Sequence, residues 1–225
     1  MNYLSHYVYN HRVCGLEPEP YFAMGVALPD LWLRFSRKRR LRWRAVQAAQ
    51  PATPEGERFR AGLLNHIATD RRFHTSLTFL RWQREIKTAV VADDVHPALV
   101  DFLVHMGIEL ALDYRLLLDD PGLVERFYDL LSGCDAGHVA QYAQEQGAVD
   151  TTGLDEVIRG FIRRRFIRRY RSDNGLAEVV RIVLSLVAIP SPPEQLVHDV
   201  LAAAVERARP EAVWEELPAT GALPD

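Results

Sequence analysis

The stretch "FLVHMGIELALDYRLLL", residues 102–118, limits the fold more than any other part of the chain. Its apolar residues recur at spacings of three and four and leave almost no polar face, the pattern of a central helix covered on nearly all sides. The same stretch nevertheless carries His105, Glu109 and Asp113, each four residues from the last. Residues four apart stack on one helix face and overshoot a full turn by about 40° per step, so the three form a slowly drifting column. Burying a lone carboxylate there costs several kcal/mol, so the acids demand a cation, a set of donors or a proton.

The pattern occurs twice. In "LLNHIATDRRFH", residues 63–74, His66, Asp70 and His74 repeat the spacing of four among Leu63, Leu64, Ile67 and Phe73. Two further residues suit the same chemistry. His6 lies beside Leu4 and Val8 in an apolar first helix, and Asp30 follows the run "YFAMGVALP". Four of the eight histidines therefore fall in one set with four carboxylates. Neutral imidazole suits zinc, iron, nickel or copper, and carboxylates suit harder ions and bridge pairs of them. His6, Asp30, His66, Asp70, His74, His105 and Glu109 are the expected ligands, and Asp113 is expected behind them, orienting a histidine through its free ring nitrogen. Zinc is the first expectation, with manganese or iron as alternatives. A single His–acid column is equally the mark of a core histidine bonded to a carbonyl or of a helix-surface pair; it is the convergence of two columns with His6 and Asp30 that favours metal.

The rest of the chain is consistent with an all-α fold. Alternating strand patterns bounded by tight-turn dipeptides are missing. Helices are expected over about 2–12, 20–28, 30–50 with a break, 56–87, 96–119, 121–132, 136–146, 153–171, 174–189 and 192–208. Asp120-Pro121 reads as a cap followed by a first-turn proline, and Ser191 to Glu194 has capping-box spacing. A Pro- and Ala-rich connection covers 47–57. With 225 residues, 48% of them hydrophobic, one helical-bundle domain over 1–215 is expected, with a flexible tail over 216–225 and the metal site between core helices.

Composition excludes several classes. A net charge of −3 does not describe a general nucleic-acid binder, so no nucleic acid is expected. Two cysteines give no disulfide framework and no paired-cysteine metal knuckle, which suits a reducing compartment. No window approaches the roughly twenty apolar residues of a membrane span, and the first residues do not read as a signal peptide, so a cytoplasmic protein without a transmembrane segment is expected. Neither a phosphate-cradling glycine loop nor a nucleophile elbow is present, which leaves covalent serine or cysteine catalysis without support. Charge is uneven, however. "RFSRKRRLRWR", 34–44, and "RGFIRRRFIRRYR", 159–171, hold seven basic residues each. Either run is a solvated helix face or a grip for phosphate or an acidic protein; Arg37, Arg39 and Arg40, close behind Asp30, are the better candidates for the grip.

These motifs have a family likeness. "MNYLSH", "GVALPD" and "GLLNHIATD" resemble the acyl carrier protein phosphodiesterases. His66, Asp70, His74, His105 and Glu109 are similar in order to the ligands of zinc-dependent phospholipase C, as is Gly25–Asp30 to its Gly-x-x-x-Pro-Asp element. The whole set looks closest to a group of small bacterial proteins with "LSHY" near the start and "LPDL" before the long helices. The likeness covers roughly residues 1–118. It implies an all-helical, metal-dependent phosphodiester hydrolase in which Asp70 and His74 take part in catalysis. The implied substrates are a small phosphodiester, a lipid or an acidic carrier protein, and a homodimer is compatible with it. The alternative of another class is a non-catalytic helical protein whose His–acid network orders the core while its Arg-rich faces bind an acidic partner.

Overall fold

Local capping chemistry marks where the helices begin. Glu19 accepts from Phe22 N–H at 2.6 Å ahead of Pro20, Asp135 from His138 N–H at 2.8 Å, and Ser172 from Gly175 N–H at 3.2 Å. Each satisfies a backbone donor that the first helical turn leaves open. The computed structural model describes residues 1–90 and 94–217, and among them it is all-α. The helices are α1 (Tyr3–Val8), α2 (Pro20–Phe35), α3 (Trp43–Ala48), α4 (Pro54–Thr75), α5 (Leu77–Ala89) and α6 (Pro97–Asp119). They continue as α7 (Leu123–Leu131), α8 (Ala136–Gly147), α9 (Leu154–Arg164), α10 (Asp173–Leu186), α11 (Glu194–Arg207) and α12 (Pro210–Trp214). A π-helical segment, Tyr9–Val13, extends α1, and a 3₁₀ segment, Phe166–Arg171, follows α9.

Several boundaries differ from the sequence reading for local reasons. Helix α2 runs through Pro29 instead of stopping before it, because the proline removes one backbone donor while Leu28, Leu31 and Trp32 stay buried on either side. The single helix expected over 56–87 breaks at Ser76, whose extended backbone and Oγ cap Phe79 N–H and start α5. Asp120 ends α6, and Pro121-Gly122 form a turn before α7. The capping box at Ser191 is not used: α11 starts after Pro193 with no side-chain cap. The connection expected over 47–57 narrows to residues 49–53, and α12 is additional. Of the expected tail, Leu217 is buried and the Glu216 carboxylate accepts from Leu77 and Thr78; residues 218–225 lie outside the described residues.

The chain forms two compact units. The first comprises Met1–Ser5, Arg71–Leu123 and residues 167–217. In it α6 packs on α11 and α5, with α10 and α12 alongside. Gly107 of α6 faces Val200 and Ala204 of α11, and Arg115 Nη2 donates to the Val205 carbonyl at 2.6 Å. As its sequence requires, α6 is the central element, with residues from Leu103 to Leu117 buried on several faces. The second unit comprises His6–Asp70 and Val124–Phe166, with α8 packed on α9 and α3, and α2 on α9. Here α2 crosses α4 at Gly25 and Gly62: a Cβ on Gly25 would land on the Phe59 carbonyl oxygen, and one on Gly62 on that of Phe22. Only glycine allows backbones to meet this closely. No described helix is long and apolar enough to cross a membrane.

Candidate metal centres

The glycine crossing sets the second unit's group. Asp30 lies five residues beyond Gly25 on α2, and His66 lies four beyond Gly62 on α4, so the close approach brings their side chains face to face. His66 Nε2 is 3.8 Å from Asp30 Oδ1. One turn further along α4, Asp70 Oδ1 is 3.8 Å from Nε2 of His6 on α1. The two imidazole rings lie 4.4 Å apart, both buried. One ligand atom from each of His6, His66 and Asp70 can be chosen so that all lie within 4.8 Å of one another. Two ligands on one tetrahedral zinc stand about 3.4 Å apart, so a small inward movement of these donors suffices to hold an ion.

The first unit gathers the remaining set. His74, at the end of α4, has Nε2 3.0 Å from Glu109 Oε1 on α6. His105 Nε2 is 3.4 Å from the same oxygen, and the two rings are 4.5 Å apart. The ring of Phe79 stands against both imidazoles, 5.1 and 5.3 Å away, and fixes their apolar side. Donor atoms of His74, His105 and Glu109 also fit within 4.8 Å. The Met1 ammonium reaches Glu109 Oε1 at 3.1 Å. Burial alone would raise the Glu109 carboxyl, but the ammonium and the bonds from His105 and His74 outweigh it and hold the group well below the usual carboxylate range. Ionised Glu109 only accepts, so His74 donates from Nε2. His105 is 39% exposed, whereas the side chain of His6 is 1% exposed, so solvent reaches the first unit's set more readily.

All seven expected ligands thus fall into two groups, His6, Asp30, His66 and Asp70 in one unit and His74, His105 and Glu109 in the other. Either His–acid cluster can hold a metal ion. Asp113 departs from its expected role of orienting a histidine. It is fully buried and accepts from Leu4 N–H at 3.1 Å, Ser5 N–H at 2.8 Å and Ser5 Oγ–H at 2.6 Å. The carboxylate thereby caps the first turn of α1 from a different helix, where the aligned backbone dipoles favour negative charge. Desolvation pushes its carboxyl up to about 6, against the lowering effect of those three bonds.

The basic runs are partly committed elsewhere. Arg39 pairs with Asp150 at 3.0 Å and donates to the Thr152 carbonyl, while Arg37 and Arg40 are exposed. In the other run, Arg165 pairs with Glu125 and Asp129, Arg159 with Asp155, and Arg169 with Glu178. A cavity of about 520 Å³ in the first unit, lined by Asp173, Gln195, His198 and Asp199, includes none of the expected ligands.

Sequence reasoning missed Met1, Ser5 and Phe79 as partners of the acids and imidazoles. The unfilled demand of Glu109 and Asp113 for donors was the available signal, but spacing along the chain does not name residues more than a hundred positions away.

Comparison of the chain with protein-family models, with curated proteins and with solved structures returned no match.

Proposed function

We propose that the protein is a metal-dependent phosphodiester hydrolase of the kind its motifs resemble. The observation that supports this most strongly is the gathering of seven His, Asp and Glu side chains, chosen from sequence, into two sets of metal-ligand chemistry. His66, Asp30, His6 and Asp70 would hold one ion, and His74, His105 and Glu109 would hold another. Zinc suits this imidazole-rich mixture best. Bound metal lowers the pKa of a coordinated water and neutralises charge on phosphoryl oxygens. Asp70, whose side chain is 26% exposed, would take a proton from an attacking water. His74, whose Nε2–H is given to Glu109, would serve the first unit's ion through the lone pair of Nδ1. The small phosphodiester, lipid or acidic carrier protein that the resemblance implies remains the substrate class of this proposal.

A second, non-catalytic reading is favoured by one observation: Glu109 Oε1 already takes contacts from Met1, His74 and His105 and needs no further partner. In that reading the network orders the core and the arginine faces bind an acidic partner.

Elemental analysis of untagged protein separates the two. Near-stoichiometric metal in the native chain, reduced in folded His66→Ala and His105→Ala variants, is expected, together with chelator-sensitive cleavage of bis(p-nitrophenyl) phosphate. Failure to take up zinc, manganese or iron on reconstitution would overturn the hydrolase reading.

A further inference from the structure

Helix α5 turns Phe79, Trp82 and Ile86 inward and presents a mixed face outward. Leu77 is 78% exposed and Leu80 44%, and Arg81 and Arg84 are exposed beside them. At the helical turn angle these four positions fall within an arc of about 100°, so two leucines and two arginines share one stripe. The stripe is held rigidly at its start. The Leu77 N–H donates to Glu216 at 2.7 Å, and Ser76 caps the same turn, so Leu77 cannot withdraw without uncapping the helix. The neighbouring acids are engaged: Glu216 takes Leu77 and Thr78, and Glu85 at the edge of the stripe pairs with Arg207 at 3.6 Å and Arg81 at 4.0 Å. Lys87, on the opposite edge, pairs with Asp101.

We propose that the outward face of α5 is a docking surface for an anionic lipid bilayer, with Leu77 and Leu80 entering the headgroup layer and Arg81 and Arg84 meeting lipid phosphates. Charge complementarity and the interleaving of apolar and cationic groups carry the choice. A protein interface concentrates apolar residues at a centre depleted of charge, ringed by a polar rim, and needs about 800 Å² from each partner. One face of a 13-residue helix with cations between its leucines has neither the area nor the segregation. A bilayer surface has both chemistries in the same few ångströms of depth. The inference goes beyond the hydrolase reading and needs no turnover.

Flotation of the full chain with vesicles of equal parts phosphatidylglycerol and phosphatidylcholine tests it, with pure phosphatidylcholine as the neutral comparison. The native chain is expected to bind the anionic vesicles and to bind neutral ones far less. Leu77→Ser with Leu80→Ser, and separately Arg81→Gln with Arg84→Gln, should each weaken binding about tenfold, with circular dichroism unchanged. Leu118→Ser, at another exposed leucine, should bind as the native chain does. No binding of the native chain to anionic vesicles would overturn the proposal, as would equal loss in Leu118→Ser. Sensitivity to the arginine pair alone would mark a plain cationic patch of the kind an acidic protein uses, and would also overturn it.

Discussion

At the residue scale the two buried acids of α6 behave oppositely, and the difference lies in what faces them. Glu109 meets an ammonium and two imidazoles and is held ionised; for Asp113 desolvation outweighs the bonds from Ser5 and Leu4 and the weaker pull of the same ammonium, and the carboxyl is raised to about 6. For Asp113 the folded pKa lies above the unfolded value near 3.8, so between these limits the native state binds more protons than the unfolded chain. Its contribution is therefore fully present below about pH 4 and is lost as pH rises through 6, amounting to about 3 kcal/mol at most. Glu109 has the reverse sign: its stabilisation is present above the unfolded value and is lost as pH falls through the depressed one. Urea denaturation between pH 4 and 7 should show stability declining from about pH 4 to 6 and levelling above that in the native chain, and a flatter profile in Asp113→Asn. Identical slopes would mean that Asp113 does not carry the effect. That α6 would bury an acid with an unmet demand was legible in its sequence. That Ser5 and the start of α1 meet this demand was not, because the partner is fixed by packing and not by spacing.

At the scale of elements, the arrangement turns on small residues and one serine. Glycine to alanine inside a helix ordinarily stabilises by about 0.5–1 kcal/mol. At Gly160 of α9, where a Cβ would meet nothing within 4 Å, Gly160→Ala should do so. At Gly62 the new methyl would collide with the Phe22 carbonyl, and overpacking of about 1–3 kcal/mol outweighs the helical gain, so Gly62→Ala should lower the melting temperature. It should also reduce metal retention, since the crossing sets the Asp30–His66 distance. A melting temperature unchanged from the native chain would show that the crossing accommodates the methyl. Ser76→Ala removes the acceptor for Phe79 N–H and the donor to the Phe73 carbonyl, and a loss of about 1 kcal/mol in thermal denaturation is expected. The sequence reading ran one helix through Ser76 because apolar periodicity continues across it; a single extended backbone angle ends a helix without disturbing that periodicity.

For the whole molecule, the functional proposal makes metal binding a stability statement. An ion that binds the folded chain alone adds about 2.7 kcal/mol at a hundredfold excess over its dissociation constant. Zinc should therefore raise the melting temperature of the native chain and have a smaller effect on His66→Ala and His105→Ala. An equal rise in all three would place the ion elsewhere. The all-α class, the central position of α6, and the choice of seven candidate ligands out of eight histidines and thirty acids came from sequence alone, because helical periodicity and the cost of burying charge act within a single helix. Tertiary structure alone decided how those ligands divide, three in one unit and four in the other, and which backbone caps Asp113. Helical spacing reports neighbours one turn apart, whereas the meeting of Asp30 with His66, or of Ser5 with Asp113, depends on how closely separate helices approach, and that is set by side-chain volume at their crossings.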